Sequence, residues 1–244
     1  MMKITFLGTN GWYTTATGAS TCVFVESPAA YIIFDAGMGF YRAGDLIKDG
    51  RPVYIFISHL HLDHIDGLQT INKLNLKQGI KIITGHGMKK ELESFMRPPF
   101  MPALDKMLSK IEILEADGFK EFNLETALLA HSVPATAFRL HIDGKVLVYA
   151  LDTGLCDNLI KISKDADLLI TESAFLPGQK PNNNHITPEE AAQAALIAGA
   201  KKLALIHFKA DDYTDFTLRN NALAAAREIF SNTVAPRDGD LCEV

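Results

Sequence analysis

The sequence predicts an α+β fold in which two mixed β-sheets pack together with helices outside, all in one domain over residues 1–244. Three observations carry that expectation. Short apolar or β-branched runs bounded by Gly, Pro, Asn or Asp recur from the start. They come as hairpin-like pairs in each half of the chain. Each set of pairs is then followed by strands alternating with segments of helical spacing.

In order, the expected strands of the first half are 4–7, 21–26, 31–35, 53–57, 80–84 and 111–114. Among them VYIFI follows Pro52, and IKIIT lies between Gly79 and Gly85. The second half repeats the pattern at 125–130, 137–142, 146–150, 168–171 and 203–206. Helical spacing marks 63–75, 87–96, 103–109, 155–164, 187–198 and 216–230. The helix at 187–198 has the clearest start: Thr187 caps, Pro188 suits the first helical position, and Glu190 stands three residues after the cap. Three prolines at 98, 99 and 102 forbid regular helix there and leave a segment that is either a packed loop or a flap over a substrate pocket. No linker, charge run, low-complexity tract or close repeat divides the chain.

A chain of 244 residues, 48% hydrophobic and 22% charged, can bury a large core unaided. Its 24 basic and 29 acidic residues give a net charge of −5, which disfavours indiscriminate binding to nucleic acid or an anionic membrane. Cys22, Cys156 and Cys242 are odd in number, far apart and without a CxxC pair, so neither a disulfide framework nor a thiolate zinc knot is expected. A reducing cytoplasm fits best. No run reaches the roughly 18 apolar residues of a spanning helix, and the first residues lack the features of a signal peptide.

Three of the eight histidines fall within six residues, as His59-Leu60-His61-Leu62-Asp63-His64, directly after the strand at 53–57. Residues two apart in an extended segment point the same way, so His59 and His61 share a face, while Asp63 and His64 fall where the chain turns into the next helix. Imidazole and carboxylate are ligands that zinc and similar ions accept. A tetrahedral catalytic site uses three protein ligands, and this cluster offers four, so two metals are expected. Further candidates stand at strand ends: His131, Asp152 and His207.

The ordered series HLHLDH, His131, Asp152 in YALDTG and His207 in LALIHF resembles the metallo-β-lactamase superfamily of binuclear metallohydrolases, and within it the ribonuclease Z and phosphodiesterase branch. FLGTNGWYTTATGAS is similar to that branch's Gly-rich first loop, IIFDAG to its acidic turn, LLITESAF and HITPEEAA to its later Glu and His motifs, and VAPRDGDLCEV to its terminal strand. The resemblance implies an αββα sandwich with the site at the rim where the sheets meet. It implies that His59, His61 and His131 hold one metal and Asp63, His64 and His207 a second, with Asp152 bridging. Asp35 would either orient a ligand histidine or loop, or simply support the turn before Gly37. The ions would be two divalent cations, with Zn²⁺ expected and Mn²⁺ or Fe²⁺ accepted by the same donors. The resemblance also allows a homodimer.

Two such ions can share a hydroxide and clamp both oxygens of an in-line displacement, which suits phosphodiester hydrolysis. Asp63 is counted with the catalytic groups as well as the ligands. The resemblance casts His185 as acid or phosphate ligand and Glu172 as the carboxylate that orients it; the alternative for His185 is a local role at the start of the helix. Gly8-Thr9-Asn10-Gly11 presents backbone amides to an anion or forms a loop on the sheet edge, and Trp12 and Tyr13 either stack on a base or pack there. His86 is expected in a turn and His141 in a strand.

Bacterial ribonuclease Z carries a long basic arm between its third histidine motif and the bridging aspartate. Only the 20 residues from Ser132 to Leu151 lie there in this chain, and two strands need them. The expected activity is therefore a phosphodiesterase acting on a small phosphate diester such as a cyclic nucleotide, with a metal-bridging hydroxide as nucleophile and with nucleic acid not expected as a partner. The alternatives are ribonuclease Z-like RNA processing, or a lactone, thioester or sulfate-ester hydrolase on the same metals. A non-enzymatic metal sensor is disfavoured by the complete ligand set and His185.

Overall fold

The computed structural model describes residues 2–244, and each expected strand is found within two residues of its expected ends. The first half supplies β1 (Lys3–Gly8), the two-residue β2 (Asn10–Gly11), β3 (Cys22–Glu26), β4 (Tyr31–Phe34), β5 (Val53–Ile57), β6 (Ile80–Thr84) and β7 (Ile111–Glu115), with α1 (Leu62–Ile65) and α2 (Lys89–Phe95). The second supplies β8 (Glu125–Leu128), β9 (Thr136–Ile142), β10 (Lys145–Ala150), β11 (Leu168–Glu172), β12 (Leu203–Ile206), β13 (Phe208–Lys209), β14 (Thr233–Val234) and β15 (Leu241–Glu243), with α3 (Asp157–Ile162), α4 (Pro188–Ala198) and α5 (Phe216–Ile229).

Apart from a separate two-stranded parallel pair, β2 with β13, one large sheet runs β15-β1-β3-β4-β5-β6-β7 and the other β14-β12-β11-β10-β9-β8. Each begins as an antiparallel meander and continues in parallel strands: β3 and β4 are antiparallel and β4 to β7 parallel, just as β9 and β10 are antiparallel and β10 to β12 parallel. Strands buried on both faces read as unbroken apolar runs, and β5 is buried at all five positions. Between the sheets Phe34 stacks on Tyr149 at 4.7 Å and Phe56 meets Phe138 edge-on at 5.2 Å. Separate apolar layers lie outside each sheet, Phe40, Leu68 and Leu92 against the first and Leu159, Ala191 and Ala222 against the second. Two sheets between helical layers make the αββα sandwich.

α4 starts as its sequence demands. The Thr187 side chain accepts from Glu190 N–H while Glu190 bonds back, and Gly199 closes the helix in the left-handed region. Alanines 191, 192, 194, 195 and 198 form its buried face, small enough to lie close on the sheet.

Two helical expectations are corrected. Residues 63–75 hold only the short α1, followed by 3-10 turns over Asp66–Leu74. Gly67 is pressed so closely on the Gly37 carbonyl that a Cβ would come within 2.1 Å, and its amide donates to Ala36 O, so the segment follows the neighbouring loop rather than a helix axis. Residues 103–109 hold a single 3-10 turn, Leu104–Lys106; with Pro102 before it and Ser109 Oγ bound to Leu76 N–H, too few residues are free to nucleate an α-helix. The Pro98 segment is a largely exposed loop anchored by Met101, which is buried under the first sheet; Phe100 stays 72% exposed beside Phe95, and none of residues 97–102 lines the metal cavity. Among the described residues, no helix is long and apolar enough to cross a membrane.

Candidate metal centre

The parallel strands of both sheets end at the same rim, and the side chains just past those ends meet there. His59 follows β5, Asp152 lies two residues beyond β10, and His207 follows β12. His131 is brought in by the bridge of Ala130 with Gly154. Asp35, Asp152 and His207 have φ of 54°, 50° and 53°. Non-glycine residues rarely sit in that left-handed region, and such positions gather at functional sites.

Two separate donor groups result, His59, His61, His131 with Asp152, and Asp63, His64 with His207, and a third set, Asp152, His185 and His207, overlaps both. In the first, His61 Nδ1 lies 2.9 Å from His59 Nε2 and 3.2 Å from His131 Nε2. In the second, His207 Nε2 lies 3.2 Å from His64 Nε2 and 3.3 Å from Asp63 Oδ2. Asp152 divides its oxygens between them. Oδ2 is 3.7 Å from both His59 and His131 Nε2, and Oδ1 is 3.4 Å from His64 and 3.1 Å from His207 Nε2.

These residues fit divalent metals. Donors about 2.0–2.1 Å from a tetrahedral ion stand roughly 3.3 Å apart, which is the scale of the separations observed. For His131 and His64 the opposite ring nitrogen is engaged elsewhere, whereas that of His207 is buried without a hydrogen-bond partner. His131 Nδ1 donates to the Asn184 carbonyl at 3.2 Å, and His64 Nδ1 faces Asp35 Oδ2 at 2.7 Å, which turns both Nε2 atoms inward. Asp152 Oδ1 is buried without a hydrogen-bond partner, a cost that a cation would remove.

The electrostatics agree. Burial, joined by the charge of His64, holds His59 well below the ordinary imidazole range, and burial with His131 lowers His61, so both are neutral donors. Burial also opposes charge on His64, but Asp63, Asp35 and Asp152 outweigh it and hold the ring well above its usual range; His207 is raised against its burial chiefly by Asp152 and Asp63. The second group thus needs a positive charge, as proton or as metal.

Asp35 orients a donor, as one of its two sequence readings has it: its carboxylate also accepts from Ser58 N–H and Oγ at 2.7 and 2.8 Å and from the Tyr149 hydroxyl at 2.7 Å. His185 Nδ1 lies 3.0 and 3.1 Å from the two oxygens of the fully buried Glu172, which also accepts from Thr153 N–H. Burial disfavours a charged His185, but Glu172, with Asp152 and Asp63 beyond, raises it to about 9. His61, His131 and Asp152 of the first group, Asp63 and His207 of the second, and His185 line an open cavity of about 350 Å³, with His59 and His64 buried behind them. His86 is an exposed turn residue facing Asp117, and His141 a strand residue facing Glu125; neither lines the cavity.

Sequence reasoning missed Ser58, Tyr149 and the Trp12 amide, which donates to Asp63 Oδ2 at 2.7 Å. Ser58, just before the histidine run, was the only one with a visible signal.

Sandwich, rim and gathered donors define a metal-dependent hydrolase of the metallo-β-lactamase fold. The beta-lactamase superfamily domain matches residues 30–208, and the chain belongs to that family. It is 28% identical to ribonuclease Z of Synechocystis sp., over 97% of this chain and 92% of that one, and 25% identical to ribonuclease Z of Halorubrum lacusprofundi, over 100% and 97%. Among solved structures it resembles the metallo-β-lactamase fold protein YhfI of Bacillus subtilis (TM-score 0.80, 22% identity, all of both chains) and the short form of human tRNase Z (0.73, 23%, 99% and 98%). It also resembles a diphosphatase of the PhnP family (0.73, 15%, 100% and 98%).

Proposed function

We propose that the chain is a binuclear phosphodiesterase of the ribonuclease Z branch that cleaves a phosphodiester bond beside a nucleotide. The observation that carries this reading is Asp152, whose two oxygens each face a different donor group. His59, His61 and His131 would hold one divalent ion, Asp63, His64 and His207 the other, and Asp152 both, with zinc the expected metal. When bound, such a pair supplies Lewis acidity and lowers the pKa of water. The chain's own residues supply the rest. Glu172 fixes His185 through Nδ1, which leaves the proton on Nε2 to face the cavity and pass to the departing oxygen. Cations held by Asp152 and Asp63 would remove part of the charge that keeps that proton on, so it would be released more readily.

RNA stands first as substrate because relatives matching nearly the whole chain are named ribonuclease Z. That brings nucleic acid back, against the expectation from charge. A small nucleotide diester is the second reading, and a specific observation favours it. β9, β10 and their turn occupy the interval between His131 and Asp152, leaving no room for an arm. The alignment with the Halorubrum enzyme also spans 308 positions against 244 residues here, so at least 64 of its positions have no counterpart. The test is turnover by metal-reconstituted protein of a transfer-RNA precursor, a cyclic nucleotide, bis(p-nitrophenyl) phosphate, p-nitrophenyl sulfate and a lactone. Cleavage of phosphodiesters is expected; cleavage of the lactone or sulfate alone would overturn the reading.

A further inference from the structure

Trp12 is the only tryptophan in the sequence, and its side chain is 60% exposed at the mouth of the metal cavity, which it lines together with Asp63 and His207. An indole left in water forgoes the burial that makes tryptophan valuable to a core. Its backbone is also unusual. The φ of 76° is a region that bulky L-residues avoid, so the conformation is imposed from outside.

Two contacts impose it. Gly11 lies so close on the His207 imidazole that a Cβ there would come within 2.5 Å of the ring, and Trp12 N–H donates to Asp63 Oδ2 at 2.7 Å. Tyr13 supports the indole edge-on, with ring centroids 5.6 Å apart, and its own hydroxyl donates to Asp211. The loop is therefore clamped on two metal-site residues while the aromatic face it presents stays open. Strain maintained at a cleft points to a ligand.

We propose that Trp12 is a stacking platform for a nucleobase attached to the phosphodiester being cleaved, so that the site selects nucleotide diesters over diesters that carry no base. This rests on the phosphodiesterase reading and adds the residue that recognises the base. Every base has a π-face, so the platform accepts a small nucleotide diester and an RNA terminus alike. Because the same loop contacts Asp63 and His207, the base is held at a fixed offset from the scissile phosphate.

The single tryptophan makes the test direct. In the metal-loaded protein, AMP is expected to quench Trp12 emission saturably, whereas ribose 5-phosphate, which has the sugar and phosphate but no base, does not. By calorimetry, Trp12→Ala should weaken AMP binding roughly 5- to 150-fold, the range of a lost base–aromatic stack, while Trp12→Phe stays close to the parent. Far-ultraviolet dichroism and metal content check that the variants fold. In turnover, Trp12→Ala should lower the ratio of kcat/KM for the dinucleotide UpA, or for a transfer-RNA precursor, to that for a glycerophosphodiester; the substrate with the larger fall identifies the source of the base. Emission indifferent to AMP, emission that shifts only with protein concentration, or an unchanged ratio for both nucleotide substrates would overturn the platform. Saturable quenching by AMP without turnover of any phosphodiester would instead sink the hydrolytic reading and leave the platform standing.

Discussion

Asp152 concentrates the argument in one carboxylate. Burial alone would raise it, but His207, His64 and His59 hold it well below the usual range, so it is ionised and has an oxygen for each donor group. Asp152→Asn keeps the volume and removes the charge. Bound metal should fall from two ions per chain to one or fewer by elemental analysis, with turnover lost; a variant that retains both ions would contradict the bridging role. His185 makes a different prediction, because in the proposed mechanism it would protonate the leaving group rather than hold a metal. His185→Ala should slow a diester with a poor alkoxide leaving group on the order of 10²-fold and one with a p-nitrophenolate leaving group much less, at unchanged metal content. Equal slowing of both would remove the acid role. At this scale the sequence was highly legible where chemistry sets spacing. His59, His61, Asp63 and His64 announce themselves by their pattern alone. Asp35 did not, because a turn aspartate and a carboxylate that fixes His64 look the same until the fold sets Ser58, Tyr149 and His64 around it. Asp and His tolerate the positive φ seen at Asp152 and His207 better than most residues, but the type alone does not mark those two positions among the other aspartates and histidines.

Elements were legible where local physics suffices. Thr187, Pro188 and Glu190 carry the start of α4 in their own side chains. Thr187→Ala should cost about 1 kcal/mol and lower Tm by roughly 2–4 °C, since the Glu190 amide loses its acceptor; no change by calorimetry would mean that packing alone sets the helix end. A second element-level device lies where β10 and β11 begin. The Asp167 carboxylate accepts from Val146 N–H at 2.8 Å and from Lys201 Nζ at 2.9 Å. Burial works against its charge, but these bonds together lower its pKa. A lowered folded pKa contributes stability that is present above the unfolded value near 3.9 and lost as pH falls through the folded value. Asp167→Asn should therefore be less stable than the parent at pH 7, with the gap closing below about pH 4; a gap constant with pH would refute the linkage. Legibility failed where tertiary contact overrides spacing, as at 103–109. It failed also for Arg219 of α5, only 2% exposed, which donates to Thr9 Oγ1 at 2.8 Å and to Asn10 Oδ1 beneath the first loop. A lone arginine among polar residues gives no sign that it points inward.

The whole molecule is two similar halves, each an antiparallel meander leading into parallel strands, and each placing an aspartate with positive φ just past corresponding strands, Asp35 after β4 and Asp152 after β10. One half turns its aspartate to a histidine and the other to the metal site, which is why FDAG and LDTG look alike in sequence yet differ in use. Charge is also a property of this scale. The net charge is −5, and among the described residues Lys209 is the one lysine or arginine lining the cavity, with its ammonium 3.2 Å from Asp212. RNA affinity falls with salt in proportion to the phosphates that basic side chains neutralise, with a logarithmic slope of about −0.7 per contact for single strands. An armless chain that holds one nucleotide by stacking and metal charge should show a slope no steeper than about −1 when metal-loaded, slowly turning-over His185→Ala protein is titrated with a single-stranded RNA between 50 and 200 mM salt. A slope of about −3 or steeper would require at least four phosphate contacts. Since the cavity provides one basic side chain, the others would have to come from a basic track outside it, and RNA would then be gripped along its length rather than at the cleaved nucleotide alone.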